Sequence, residues 1–186
     1  MATIPLLTIP GLWNSGPDHW QTHWERAHPG TQRVLQAEWE RPDCADWVAA
    51  LERAVASQDG LVLLAAHSLG CTLVAHWGLR SKNAGKVKGA LLVAPSDVEA
   101  KAYPLGTTGF APMPLSRLPF PVVVVTSTND EYLSTARAAQ FAKAWGARLV
   151  DVGARGHLNS ASKLGLWPEG WALVETLRGR QSTSPA

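Results

Sequence analysis

Residues 61 to 65, Leu-Val-Leu-Leu-Ala, form an unbroken apolar run that enters Ala66-His67-Ser68-Leu69-Gly70 and passes directly into a helical pattern. A short apolar run without alternation fits a strand buried on both faces, which calls for a parallel sheet with helices on either side. Asp59-Gly60 supplies the turn before it, and Leu69, Leu73, Val74 and Trp77 repeat at the spacing of one helix face after it. Ser68 therefore stands at a sharp strand-to-helix junction, where a serine hydroxyl is lifted above the sheet as a nucleophile. Small residues at 66 and 70 suit the close passage of two backbones at such a turn, with Ala66 adding one methyl group to the glycine usual at the first position. A serine before a helix can also be a plain N-cap. The strand ahead of it and the helix behind it favour the nucleophile.

The rest of the chain repeats the same alternation. Strand candidates lie near residues 4–9, 33–37, 61–66, 88–94, 121–127 and 147–152, and helical patterns near 18–28, 44–57, 69–81, 131–145 and 169–179. This reads as an α/β chain with a mostly parallel sheet of about six strands, helices on both faces and right-handed crossovers. With 186 residues, 46% of them hydrophobic and 17% charged, residues 1–180 form one domain with a sizeable core, and 181–186 a flexible tail. In a sheet of this kind ligand chemistry gathers at the carboxyl ends of the strands. The Pro- and Gly-rich segment 97–121 is the one long interruption. Its Tyr103, Phe110, Met113 and Leu115 make it apolar enough to cover a site, and Phe110 and Met113 are expected to wall the acyl side of a pocket.

Composition excludes several classes. No apolar run is long enough to span a membrane, and the first ten residues lack a basic region and are broken by Pro5 and Pro10, so they read as a strand and not as a signal peptide. Cys44 and Cys71 have no zinc-like or disulfide-like spacing, and a cytoplasmic setting is expected. The net charge of +2 is scattered, without the basic stripe that nucleic acid requires. His19 and His23 are spaced as on a zinc-binding helix, but Trp20 stands where the general-base glutamate belongs, and no metal is expected.

A nucleophilic serine needs a base and a carboxylate to hold that base, and the strand ends offer both. Asp130 follows Val122-Val-Val-Val125, and His157 follows Leu149-Val-Asp-Val152 through Gly153-Ala-Arg-Gly156. Asp130 could instead cap a helix, and Asp97 also follows a strand candidate. The chain order Ser68, Asp130, His157, each past a successive strand, favours those three as catalytic residues. Oxyanion donors are expected at the backbone N–H of Leu69 and, from the loop Pro10-Gly11-Leu12-Trp13-Asn14-Ser15-Gly16, at that of Leu12. Trp13, His19 and Trp167 are candidates to line the substrate site. His67 is expected to make a structural hydrogen bond and His76 to be a helix residue. Among nine tryptophans, Trp47, Trp77, Trp145 and Trp171 sit at helical spacing and read as core.

Pro10-Gly-Leu-Trp-Asn-Ser-Gly-Pro-Asp-His-Trp-Gln21, His67-Ser-Leu-Gly-Cys71, Gly89-Ala-Leu-Leu-Val-Ala-Pro95, Leu118-Pro-Phe-Pro121 and Gly156-His-Leu-Asn159 span nearly the whole chain. Together they resemble the small serine hydrolases of the retinoblastoma-binding protein nine and YdeN-like family. The resemblance implies a compact α/β-hydrolase without a large lid domain, a triad matching Ser68, Asp130 and His157, and esterase or related acyl-hydrolase activity with no cofactor. Retinoblastoma-type binding is associated with a Leu-x-Cys-x-Glu motif; the nearest string, Leu69-Gly-Cys-Thr-Leu73, lacks the glutamate, so that partner is not expected. The reading is a hydrolase of a small ester, thioester or amide acting through an acyl-enzyme. The alternative is a protein-interaction module on a hydrolase scaffold, since fold alone does not fix function.

Overall fold

The computed structural model describes residues 4–101 and 103–179, so the expectation for 181–186 lies outside the described residues. Six parallel strands, β1 (Leu6–Ile9), β2 (Thr31–Arg33), β3 (Val62–His67), β4 (Val87–Val93), β5 (Val122–Thr126) and β6 (Arg148–Asp151), form one sheet in the order β2-β1-β3-β4-β5-β6. Five helices connect or follow them: α1 (Trp20–Ala27), α2 (Cys44–Ala56), α3 (Leu69–Gly78), α4 (Thr135–Trp145) and α5 (Pro168–Arg178). The strand order reverses between β1 and β3, which makes their carboxyl ends the switch point where open α/β sheets bind ligands. No helix among the described residues is long and apolar enough to cross a membrane.

The unbroken apolar strands divide their side chains between two cores, as the two-residue period of a strand requires. Leu7, Ile9, Val62, Leu64, Ala66, Ala90, Leu92, Val122 and Val124 face α2, α3 and α4, whose Trp47, Leu51, Leu73, Trp77, Phe141 and Trp145 cover them. Leu6, Leu63, Ala65, Leu91, Val93, Val123 and Val125 face the other way, onto Trp20, Trp24, Trp167 and Val174 near α1 and α5. Trp171 is only partly buried against this second core. The edge strand departs from its expected position: β2 ends at Arg33, two residues after it starts. Val34 still donates its N–H to Thr8 at 2.9 Å, but the chain then leaves the sheet and Leu35 is 74% exposed. An edge strand pairs on one side only, so little holds it in register beyond that point.

Ser68 sits at the β3–α3 junction with φ 55 and ψ −124, a backbone conformation that an L-residue adopts only under constraint. Its side chain caps no helical N–H, which removes the N-cap reading. The junction is tight because β1 passes directly behind it. A Cβ on Gly70 would lie 2.4 Å from the Ile9 carbonyl oxygen and 2.7 Å from that of Pro10, and neither backbone can yield. Gly70→Ala is therefore expected to lower unfolding free energy by about 1–3 kcal/mol through overpacking. Urea denaturation of the two proteins checks it, and equal midpoints would contradict the close approach.

Candidate active site

The three loops that leave β3, β5 and β6 bring Ser68, Asp130 and His157 together. Ser68 Oγ lies 2.9 Å from His157 Nε2, and His157 Nδ1 lies 2.9 Å from both oxygens of Asp130. The Asp130 side chain is fully buried, and its Oδ1 also accepts the Tyr132 N–H at 2.8 Å. It does not cap a helix: α4 begins five residues later, and Ser134 serves as its cap. Asp97, the other carboxylate past a central strand, is engaged elsewhere. Arg137 grips it through Nε at 3.0 Å and Nη2 at 3.2 Å, and also contacts Glu99.

The loops after β5 and β6 are stitched to each other. Thr128 N–H donates to Gly153 O at 3.0 Å, Arg155 N–H to Ser127 Oγ at 2.8 Å, and Gly156 N–H to Asn129 Oδ1 at 2.7 Å. From the other side His67 Nε2 meets the His157 carbonyl at 2.9 Å, and since a carbonyl only accepts, His67 carries its proton on Nε2. The Trp20 indole donates to the next carbonyl, Leu158, at 3.0 Å. The imidazole of His157 thus hangs from a backbone fixed on both sides.

The loop after β1 closes the fourth side. A Cβ on Gly11 would stand 2.7 Å from Ser68 Cβ and 3.1 Å from the Leu69 nitrogen, so only glycine lets this loop lie against the junction. Trp13 and Asn14 both adopt positive φ, turning the chain outward immediately after Leu12. Arg33 braces the turn with Nη1 on Asn14 Oδ1 at 3.0 Å and on Ser15 O at 2.9 Å, while its Nη2 pairs with Glu25 at 2.8 Å. Gln21 ties the same loop to β3, accepting from Ser15 Oγ at 2.6 Å and donating to Ala65 O at 2.9 Å.

A cavity of about 250 Å³ opens over Ser68 and His157. Of the residues expected to line it, Trp13 and His19 do so. Phe110, Met113 and Trp167 do not, and this corrects the sequence reading. Phe110 and Met113 are 1% and 4% exposed within the core that α2 and α3 cover, where Phe110 packs edge-on against Trp47. His76 Nε2 holds the Phe110 carbonyl at 2.8 Å, so the middle of the long segment is sewn to α3. Apolar side chains in a loop find the nearest apolar surface, which here is the helix layer and not the pocket. Trp167 is 1% exposed and stacks on Trp24 at 5.9 Å, filling the second core. What the long segment gives the cavity is Tyr103 and Pro104. Two further lining residues, Ser96 and Tyr132, were not singled out by the sequence reading. Tyr132 sets its ring edge-on to His157 at 4.7 Å.

His19, His67 and His157 form a row, with ring centroids 4.7 Å and 4.9 Å apart. Burial drives His19 down to about 3, with Arg33 and the neighbouring histidines acting in the same direction. Burial likewise holds His67 well below the ordinary histidine range. Both are therefore neutral at pH 7, and of the row only His157 faces a carboxylate. His19 accepts the Gln21 N–H on Nδ1 at 3.2 Å and caps α1. Among the described residues no group of three or more His, Cys, Asp or Glu could hold a metal ion.

The parallel sheet, the strained serine past β3 and the acid and histidine past β5 and β6 place this chain in the class of α/β-hydrolases. The chain belongs to the serine hydrolase family, whose model, described as Serine hydrolase, matches residues 6–176, and within it the chain is a small YdeN-like enzyme. It is similar to a YdeN-like hydrolase from Pectobacterium atrosepticum, with 32% identity, 95% of this chain and 91% of that chain covered, and a TM-score of 0.83. The ydeN gene product from B. subtilis shares the fold at 16% identity, covering 96% of this chain and 100% of that one with a TM-score of 0.72. The esterase domain of a Rhodothermus marinus protein does so at 16% identity, with 92% and 88% covered and a TM-score of 0.66. No curated protein sequence matches the chain.

Two outcomes follow from this geometry. Phe110→Ala should lower stability by about 3–5 kcal/mol, as for other buried aromatics. Relative rates on short and long acyl esters should stay unchanged; a shifted preference at unchanged melting temperature would put Phe110 at the pocket. The second concerns acid. A histidine held below its unfolded value of about 6.5 binds fewer protons folded than unfolded, so its stabilisation is complete above that value and fades as pH falls toward the folded one. With His19 and His67 both of this kind, unfolding free energy should fall between pH 6 and pH 4 more steeply than about 1.4 kcal/mol per pH unit, the limit for one group. Urea titrations at each pH measure the slope, and a flat profile would mean that neither histidine is buried neutral.

Proposed function

We propose that this hydrolase cleaves a small ester, thioester or amide through an acyl-enzyme, with Ser68 as nucleophile, His157 as general base and acid, and Asp130 as the group that orients the imidazole. The reading rests on one observation, the contact of Ser68 Oγ with His157 Nε2 at 2.9 Å while Asp130 holds Nδ1 from the other side. With Nδ1 facing a carboxylate it carries the proton, which leaves Nε2 bare to accept from the serine. As Ser68 Oγ bonds to the substrate carbonyl carbon, its proton passes to Nε2 and the carbonyl π pair moves onto oxygen. The N–H groups of Leu69 and Leu12, which no acceptor among the described residues takes, receive that oxyanion. Collapse expels the leaving group with the proton from His157, and water repeats the sequence to free the acid.

Cys71, three residues from Ser68, does not compete. It is buried, burial raises its thiol well above the ordinary range, and Sγ donates to Val93 O at 3.4 Å. Among the described residues the cavity lining holds no Asp, Glu, Lys or Arg side chain, which favours an uncharged acyl group. The esterase domain among its structural neighbours acts as a precedent for this fold with such chemistry.

Ser68→Ala should abolish turnover of an activated ester and labelling by a fluorophosphonate, with an unchanged melting temperature. Asp130→Asn keeps the shape but favours the wrong imidazole tautomer, a change that lowers turnover about ten-thousandfold in a serine protease. Asp97→Asn, which loosens Arg137 and the turn at Glu99, should lose roughly tenfold or less, about 1.4 kcal/mol in the barrier. Saturating rates for the three variants decide the matter; the reverse ranking of the two aspartates would transfer the acid role to Asp97.

A further inference from the structure

Ser68 Oγ has a second partner. Ser96 Oγ lies 2.7 Å from it, and Ser96 is 1% exposed. Its position is built by the backbone: β4 ends at Val93, Ala94 turns with φ 47, and Pro95 then carries the chain back over the junction. Ala94 N–H is held by Val125 O at 2.8 Å, Asp97 N–H by Tyr132 O at 3.2 Å, and the Ser96 N–H points at the Ser68 carbonyl at 3.5 Å. A non-glycine residue at positive φ persists only where the surroundings over-determine it. Here the result of that strain is one hydroxyl set against the nucleophile.

The direction of the hydrogen bond can be worked out along the chain of groups. Asp130 keeps the proton of His157 on Nδ1, so Nε2 is bare and the Ser68 O–H donates to it. Ser68 Oγ is then left with lone pairs and no proton to offer Ser96. Between two hydroxyls 2.7 Å apart the donor must therefore be Ser96. On the far side of Ser96 stands Tyr103, whose phenol burial pushes up to about 12 while the Ser96 hydroxyl works against that rise. The phenol thus keeps its proton at neutral pH and can donate it to the Ser96 oxygen, which leaves the Ser96 hydrogen for Ser68.

We propose that Ser96 is a fourth catalytic residue of the site described above, its hydroxyl donating to Ser68 Oγ so that the serine's own proton points at His157 and the charge that gathers on Oγ during proton transfer is stabilised. Ser96 gives up no proton. In acylation the Oγ–H bond breaks toward Nε2 as the bond to carbon forms, and the donated hydrogen bond strengthens while Oγ is most negative. In deacylation Oγ is the leaving group, and the same donor assists its departure before His157 reprotonates it. Because the contact tightens only when charge develops, its loss should appear in kcat and leave KM in place.

The test is burst kinetics with p-nitrophenyl acetate, run beside fluorophosphonate labelling and thermal melting. Ser96→Ala should slow both the burst and the steady phase roughly tenfold, about 1.4 kcal/mol in each barrier, with KM and melting temperature unchanged. Ser96→Thr retains the hydroxyl and should recover most of the loss. Tyr103→Phe, which leaves Ser96 in place, should lose less than Ser96→Ala in the same two phases. Wild-type rates in Ser96→Ala, or a faster burst, overturn the proposal, the latter showing that Ser96 draws the Ser68 proton away from the base. A wild type that neither turns over the ester nor takes the phosphonate overturns the acyl-enzyme reading itself. A wild type that does both while Ser96→Ala is unaltered overturns only the role of Ser96.

Discussion

The close passage of two backbones at the strand reversal is the constraint on which the rest of the molecule depends. β1 and β3 are neighbours in the sheet, and the chain beyond β1 must clear the turn that carries Ser68. Gly11 lies against Ser68 and the Leu69 amide, and Gly70 lies against the carbonyls of Ile9 and Pro10. Two missing side chains thus let the loop after β1 and the start of α3 share one corner. Any retreat of the loop would separate the Leu12 amide from the Leu69 amide and enlarge the mouth above the serine. The braces behind it, Arg33 on Asn14 and Ser15 and Gln21 on Ala65, hold the loop down on this contact.

A second layer of order comes from histidines that do no proton transfer. His67 is buried and neutral, and its Nε2–H fixes the carbonyl of His157. His19 is neutral as well and packs edge-on against it. In the proposed mechanism a charged imidazole at either position would repel the imidazolium formed on His157. Burial therefore does two jobs at once, rigidifying the loop and keeping the two rings beside His157 uncharged.

Much of this was legible in the sequence because its signals are local. Apolar runs ending in small residues located the strands to within a few residues, and Ser68, Asp130 and His157 each followed a strand in the order their fold uses. The alternation of strand and helix gave a parallel sheet of six strands with helices on both faces, as observed. What failed was the assignment of apolar loop residues. Phe110, Met113 and Trp167 carry no local signal that separates a pocket wall from a core plug, since that depends on which surface lies beneath the loop. Ser96 was missed for the opposite reason. A serine after Ala94-Pro95 is unremarkable in sequence, and only the positive φ of Ala94 aims it at the nucleophile.

The distribution of strained backbone ties these points together. Seven non-glycine residues with positive φ occur among the described residues, and five of them, Trp13, Asn14, Ser68, Ala94 and Leu158, follow the carboxyl ends of β1, β3, β4 and β6. Each residue held in such a sparsely populated conformation costs about 1–3 kcal/mol. Burying one large apolar side chain contributes about 1.5–3 kcal/mol, so a few core residues offset the whole set. β1, β3 and β5 beneath the site are buried along their whole length, and all ten residues of α3 are buried too. A core that redundant can hold five unfavourable turns at one edge of the sheet. Those turns place Leu12, Ser68, Ser96 and His157 around one small cavity.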